Sequence, residues 1–239
     1  MCLLAFTISA CGDDDESSSA SSTETSDGIR VAIVAPSAEN DLAFSQSIVD
    51  GVSKLTGVSE TAITPGTFIV EEAATAIRDY AEAGYDLVIA HGSQYGGPLQ
   101  EIAPDFPDTA FAWGTAVDTF GLDNVSAYTA ASNEGGYVLG VIAAEVGESI
   151  GIVGPIAVGD AKLYVDGFTL GAESGGAEVS VTYIESFADV ALASETAAAF
   201  VSNGADVLTG TAQMTVGAIG VAEQEGLLWF GTQSNQTSA

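Results

Sequence analysis

Residues Ile29-Arg30-Val31-Ala32-Ile33-Val34-Ala35, followed by Pro36-Ser37-Ala38-Glu39-Asn40-Asp41, decide the fold. The first seven are an almost continuous apolar run, the pattern of a strand buried on both faces of a parallel sheet. The next six are a polar turn ending in residues suited to capping a helix, so a helix is expected over about 42–55. Ligands of open parallel sheets bind beyond the carboxyl ends of the strands, which puts Asn40, Asp41 and Phe44 where a cleft would open. Phe44, on the first helical turn, can either offer a flat face to a ligand or fill the core.

The alternation continues along the chain. A short strand is expected at 67–70 and a helix at 71–83, ended by Gly84. A strand at 86–91 runs into the glycine-rich turn Gly92-Ser93-Gln94-Tyr95-Gly96-Gly97 and a helix to about 103, which Pro104 and Pro107 interrupt. Strands at 109–113 and 125–129 precede a long helix at 133–146. A second set follows: strands at 150–154, 178–184, 206–210 and 227–231, with helices at 160–173, 190–202 and 213–225 between them. Strands alternating with helices argue for βαβ units and a parallel sheet in each half. The halves also repeat each other: Ala83-Gly84-Tyr85-Asp86-Leu87-Val88 recurs as Asn203-Gly204-Ala205-Asp206-Val207-Leu208. Phe111-Ala112-Trp113-Gly114-Thr115 recurs as Leu228-Trp229-Phe230-Gly231-Thr232. Two duplicated Rossmann-like α/β lobes facing each other across one cleft are therefore expected, with lobe 1 at 29–131 and lobe 2 at 132–239.

Charge excludes one class of function. The 239 residues hold 33 acidic side chains against 4 basic ones, a net charge of -29. Such a surface repels phosphate backbones, and no Lys/Arg cluster reverses it, so nucleic acid is not a partner. Adaptation to a saline habitat, where screening removes the self-repulsion, accounts for the excess.

The first residues read as the end of a secretion signal. Ile8-Ser9-Ala10-Cys11 matches the bacterial lipobox and follows a short apolar stretch, which predicts a signal peptide over 1–11 with Cys11 as the lipidated residue. Residues 12–28 are acidic and Ser/Thr-rich, a tether that cannot bury a core. The stretch before Cys11 is shorter than a full signal and lacks its positive start, so the true N-terminus is expected to lie elsewhere. Cys2 would leave with the signal, which leaves the mature domain no thiol and no disulfide. The protein is then anchored to the extracytoplasmic face of the cell membrane through lipid alone.

Several segments resemble the basic membrane protein family, the substrate-binding lipoproteins of ABC transporters that include purine-nucleoside binders. Asn40-Asp41-Leu42-Ala43-Phe44-Ser45-Gln46-Ser47 with Gly51 is similar to the family's N-D-x-x-F-x-Q-S stretch. Asn133-Glu134-Gly135-Gly136-Tyr137 to Gly140 resembles its N-E-G-x-Y-x-x-G helix, Phe168 to Gly171 its F-x-x-G helix, and Ser186-Phe187-Ala188-Asp189 its S-F-x-D turn. The likeness spans most of 29–236 and implies a type I periplasmic-binding-protein fold, a monomer, and delivery of a small ligand to an ABC permease and its ATPase. Family members carry further strands, so a chain that stops at Ala239 is expected to be truncated at its C-terminus. In the nucleoside binders, the resemblance implies, a base lies between two Phe rings matching Phe44 and Phe187. Their D-S-D-Q, whose first acid holds the ribose, stands here as Gln233-Ser234-Asn235-Gln236.

The chemistry left open is binding. The single His91 has no nucleophile elbow near it, and neither one His nor the scattered carboxylates give a metal-ligand spacing, so no catalytic residue, metal or cofactor is expected. The turn at 92–97 lacks the Lys of a phosphate loop and reads as a plain cleft-lining βα turn. Candidate ligand-binding residues are Asn40, Asp41, Phe44, His91, Ser93, Gln94 and Thr115 from lobe 1. Phe187, Thr211, Gln213, Gln233 and Asn235 come from lobe 2. Neutral hydrogen-bonding groups with two flat rings suit an uncharged polar heterocycle, such as a nucleoside, or a sugar. The competing reading is a ligand-sensing module for a membrane signalling partner.

Overall fold

The computed structural model describes residues 28–237. Five strands, β1 (Ile29–Val34), β2 (Val58–Thr64), β3 (Leu87–Ala90), β4 (Ala110–Gly114) and β5 (Val125–Tyr128), form an all-parallel sheet in the order β2-β1-β3-β4-β5. Helices α1 (Phe44–Val52), α2 (Val70–Glu82) and α3 (Gly96–Ile102) cross between them. A second parallel sheet, ordered β7-β6-β8-β9, is built from β6 (Ser149–Gly154), β7 (Glu178–Tyr183), β8 (Val207–Gly210) and β9 (Leu228–Phe230). It is flanked by α4 (Ser132–Ala144), α5 (Gly159–Ser174), α6 (Val190–Ser202) and α7 (Thr215–Glu225). This is the two-lobed type I periplasmic-binding-protein architecture.

The opening apolar run is buried on both faces, as its composition requires. Val31, Ile33 and Ala35 pack with Val52 and Ile89 on one side of the sheet. Ala32 and Val34 pack with Ile77, Val88, Tyr95 and Phe111 on the other. In the second lobe, Ile150 and Ile152 face α4 and α5 through Ala143, Tyr164 and Phe168. Val153 and Leu208 face α6 and α7 through Ala193, Phe200 and Met214. Each buried aliphatic side chain of this size contributes about 1.5 to 3 kcal/mol.

The sequence repeat has a structural meaning. Asp86 precedes β3 and its Oδ2 accepts from the Arg30 N–H at 2.7 Å, at the start of β1. Asp206 precedes β8 and its two carboxylate oxygens accept from the N–H groups of Glu148 and Ser149 at 3.0 and 3.1 Å, at the start of β6. Both acids tie the third strand of a sheet to its first. The glycines two residues earlier, Gly84 and Gly204, have φ of +74° and +94°, which a side chain would strain.

Helices α4 and α5 approach backbone to backbone. A Cβ on Gly136 or Gly140 would lie 2.5 or 2.2 Å from the carbonyl oxygen of Tyr164 or Phe168 on α5. A Cβ on Gly167 or Gly171 would lie 2.1 Å from the carbonyl of Asn133 or Tyr137 on α4. The two Gly-x-x-x-Gly faces interlock reciprocally, so α4, which leaves the link at 129–131, is fastened to the second lobe.

The structure differs from expectation in three segments. The strand expected at 67–70 is instead Val58–Thr64, and 67–69 is the loop entering α2. Helix α1 is confined to Phe44–Val52, because Asp41 and Leu42 form its approach. Helix α7 begins at Thr215, after a turn containing Gln213. Cys11, the lipobox and the tether up to residue 27 lie outside the described residues. Among the described residues no helix is long and apolar enough to cross a membrane.

Candidate functional site

The carboxyl ends of the strands in both sheets converge on a cavity of about 590 Å³, within the usual range for small-molecule sites. Lobe 1 lines it with Pro36 and Phe44 after β1, Phe68 and Val70 after β2, Gly92, Ser93 and Gln94 after β3, and Thr115 after β4. Lobe 2 supplies Val158, Gly159, Asp160 and Ala161 after β6, Phe187 after β7, Thr211, Ala212 and Gln213 after β8, and Gln233 after β9. Eight of the twelve residues expected from the sequence are therefore on the wall.

The other four are not, each for a physical reason. Asp41 caps α1: its carboxylate accepts from the N–H groups of Ala43, Ser45 and Gln46 at 2.9, 3.1 and 3.0 Å and from Ser37 Oγ at 2.5 Å. With its oxygens so occupied it organises the turn and leaves the wall to others. Asn40 is exposed in the same turn and makes no part of the wall. Asn235 is also exposed, its Oδ1 accepting from the Thr237 N–H and Oγ1 at 3.1 and 2.8 Å.

His91 stands behind the wall, 5% exposed, with both ring nitrogens engaged. Its Nε2 donates to the Phe44 carbonyl at 3.0 Å, which fixes the tautomer and makes Nδ1 the acceptor from the Tyr128 hydroxyl at 2.6 Å. The Phe44 ring stacks on the imidazole with centroids 3.9 Å apart and planes 16° apart. Burial pulls the His91 pKa down to about 4, against opposing contributions from the Phe44 carbonyl and Asp41, so the ring is neutral at pH 7. Burial likewise pushes the Tyr128 hydroxyl well above its ordinary range. Gly114 is obligatory here, because a Cβ would sit 2.7 Å from Tyr128 Oη and 3.0 Å from His91 Nδ1.

Strain concentrates at this end of the molecule. Leu42, Thr115, Glu185, Ala212 and Gln233 have φ between 55° and 75°, and they lie in the turns following β1, β4, β7, β8 and β9. Left-handed conformations in non-glycine residues cost on the order of 1 to 3 kcal/mol and persist where surrounding contacts enforce them, most often at ligand sites. Gln233 is enforced in this way, its Oε1 accepting from the Ala212 N–H at 3.2 Å.

Nine of the seventeen wall residues are not among the sequence candidates, and Phe68 and Asp160 matter most to the chemistry of the site. Phe68 belongs to an apolar triplet, Phe68-Ile69-Val70, that reads as strand; its exposure of 57% reflects a ring turned to the cavity instead of the core. Asp160, in the first turn of α5, is the sole ionisable side chain on the wall among the described residues, and its Oδ1 accepts from Thr129 Oγ1 at 2.6 Å. An acid starting a helix just after a buried strand was the available signal, the same arrangement as Asp41 after β1. None of the four cations of the chain lines the cavity. The wall thus combines aromatic rings with amide and hydroxyl groups and has no counter-charge for an anion.

The comparisons with known proteins agree with this geometry. The model of the family described as "ABC transporter substrate-binding protein PnrA-like" matches residues 29–238. A purine-binding protein of Brucella abortus is 33% identical over 168 residues, covering 69% of this chain and 47% of its own. The ABC transporter nucleoside-binding protein BmpA of Lactococcus lactis is 27% identical over 215 residues, covering 84% of this chain and 59% of its own. Among solved structures, an ABC transporter solute-binding protein of Conexibacter woesei superposes with a TM-score of 0.73 at 25% identity, over 87% of this chain and 72% of that one. The chain thus spans about half to three-fifths of the length of the curated relatives it matches.

Proposed function

The chain belongs to the PnrA-like family of ABC transporter substrate-binding proteins, and from that premise we propose that it captures a nucleoside or purine-like ligand and delivers it to an ABC permease. The observation that supports the ligand class most directly is the wall itself. Aromatic rings enter from opposite lobes, Phe44 and Phe68 from one and Phe187 from the other, among neutral hydrogen-bonding groups and no cation. A flat heterocycle gains from stacking on such rings, whereas a phosphorylated ligand would meet Asp160 and a net charge of -29.

The test is titration of the purified protein with inosine, its free base hypoxanthine and glucose. Inosine should bind, and Phe187→Ala should weaken it by about 1 to 3 kcal/mol, the value of a base stacked on an aromatic side chain. Gln233→Asp should tighten inosine and leave hypoxanthine unchanged, because only the nucleoside presents ribose hydroxyls. Binding of glucose alone would overturn the nucleoside assignment in favour of a sugar.

The role is binding without catalysis. The single histidine has both nitrogens occupied, which leaves Ser93 without a base. The protein is placed on the extracytoplasmic membrane face by a lipid on Cys11. Cys11→Ser should release it into the soluble fraction, and retention on membranes would count against the anchor.

A further inference from the structure

Gln236 spans the two lobes and is buried at 8% exposure. Its Oε1 accepts from Trp229 Nε1 at 3.0 Å and from the Thr232 N–H at 3.3 Å, both in lobe 2. Two donors on one side of the amide fix its orientation and turn Nε2 toward lobe 1, where it donates to the Leu42 carbonyl at 3.0 Å. The fit is tight: a Cβ on Gly231 would lie 2.6 Å from Gln236 Oε1.

The residue that receives this bond is unusual. Leu42 has φ of +55°, a conformation that a branched L-residue avoids unless it is held. Two glutamines hold it. Gln46, on the same lobe, accepts from the Leu42 N–H at 3.0 Å, and Gln236, on the opposite lobe, takes its carbonyl. Two residues further on, Phe44 presents its ring to the cavity. The turn that aims Phe44 is therefore completed by a side chain from the other lobe.

We propose that Gln236 is a positioning residue that couples closure of the lobes to the placement of the Phe44 ring. This rests on the reading of the cavity as a ring-binding site. With the lobes together, Nε2 holds Leu42 and Phe44 is set. With the lobes apart, Leu42 loses one of its two restraints and the ring loses its fixed aim. Ligand stacking on Phe44 and lobe closure then favour each other, because each stabilises the arrangement that the other needs. Ser37 Oγ, which accepts from Gln213 Nε2 at 2.9 Å, is a second tie between the lobes, but its hydroxyl also donates to the Asp41 cap and it does not touch Leu42.

The test uses Gln236→Glu, which keeps an acceptor for Trp229 and Thr232 but has no proton for the Leu42 carbonyl at pH 7. Gln236→Met, neutral and of similar volume, guards against a folding defect from the added charge. The first readout needs no ligand. With Cys2 and Cys11 changed to serine, spin labels at Ser53→Cys and Glu223→Cys, both exposed and one on each lobe, report the inter-lobe distance. Either substitution at Gln236 should broaden that distribution toward longer separations, and an unchanged distribution overturns the inference. The second readout is inosine affinity. Loss of the bond should weaken it about tenfold, as expected for one hydrogen bond, chiefly through faster dissociation. In a Phe44→Ala background the same substitution should change affinity by less than about twofold, since residues that act through each other are not additive. An equal loss in both backgrounds would make Gln236 a general structural support and overturn the coupling. Should the wild type bind neither inosine nor hypoxanthine, the nucleoside reading fails, and the label distances alone decide whether Gln236 controls closure.

Discussion

Gly171→Ala should destabilise the second lobe by about 3 kcal/mol, while Gly135→Ala on the facing helix should stabilise it by up to about 1 kcal/mol. The two substitutions add the same methyl group to helical glycines, so helix propensity favours both by about the same amount. What separates them is the space. The Gly171 Cβ would lie 2.1 Å from the Tyr137 carbonyl oxygen, a backbone atom that cannot swing aside, so α4 and α5 must part by more than 1 Å, on the order of the gap between that distance and a normal contact. The Gly135 Cβ would meet nothing within 4 Å. Parting the helices would also open the core in which Phe168 and Tyr164 pack against Ile150 and Ile152. Gly136→Ala, one residue along from Gly135 and facing Tyr164, should follow Gly171 in sign. Urea unfolding of the three variants measures this directly. Equal stabilisation by all three would mean that the helices do not approach as closely as described.

Those glycines also show which features of the fold were legible in the sequence. The sequence offers Asn133 to Gly140 and Phe168 to Gly171 only as likenesses to family motifs; that Gly136 and Gly140 face Gly167 and Gly171 across a close helix contact shows only in the structure. Strands β1, β3, β6 and β8 were readable because a central parallel strand is buried on both faces and must be apolar throughout. β2 was not, since it is an edge strand whose exposed Ser59, Glu60 and Thr61 break the continuous apolar run that marks a buried strand. The sequence places a strand at 67–70 instead, because the hydrophobicity of Phe68-Ile69-Val70 resembles core. Phe68 and Ile69 are 57% and 56% exposed, and a wall ring of a binding cavity has the sequence signature of a buried one.

The site was legible by position and ambiguous by role. The rule that ligands sit beyond the carboxyl ends of parallel strands located the lining turns after β1, β3, β4, β7, β8 and β9 and left out those after β2 and β6. It cannot say which way a side chain in such a turn points. Asp41 turns back to cap α1, and His91 at the end of β3 lies beneath Phe44, because its own strand is central and buried. The left-handed residues were equally hidden, since Leu42, Ala212 and Gln233 have no composition that signals φ above zero. Only the assembled turns enforce it.

The buried histidine leads to the second large effect, a stability that is lost in acid through one residue. Folded His91 titrates at about 4, whereas in the unfolded chain it takes its proton near 6.5. Between those values the unfolded state binds a proton that the folded state refuses, so stability rises with pH across the window. The contribution is fully present above pH 6.5 and is lost as the pH falls toward 4; a shift of this size corresponds to about 3 kcal/mol. The carboxylates complicate any direct reading, because protonating them in acid relieves the self-repulsion of a chain with 33 acids. His91→Gln removes that complication. A glutamine can donate to the Phe44 carbonyl and accept from Tyr128, and it does not titrate, so the carboxylate contribution cancels in the difference between the two proteins. Wild-type stability minus that of His91→Gln, measured by urea unfolding, should fall by about 3 kcal/mol between pH 7 and pH 4. A difference that stays constant across this range would mean that the imidazole is accessible to water and that the prop beneath Phe44 is not a buried one. A falling difference would establish that the ring on the cavity wall rests on a dry, neutral imidazole.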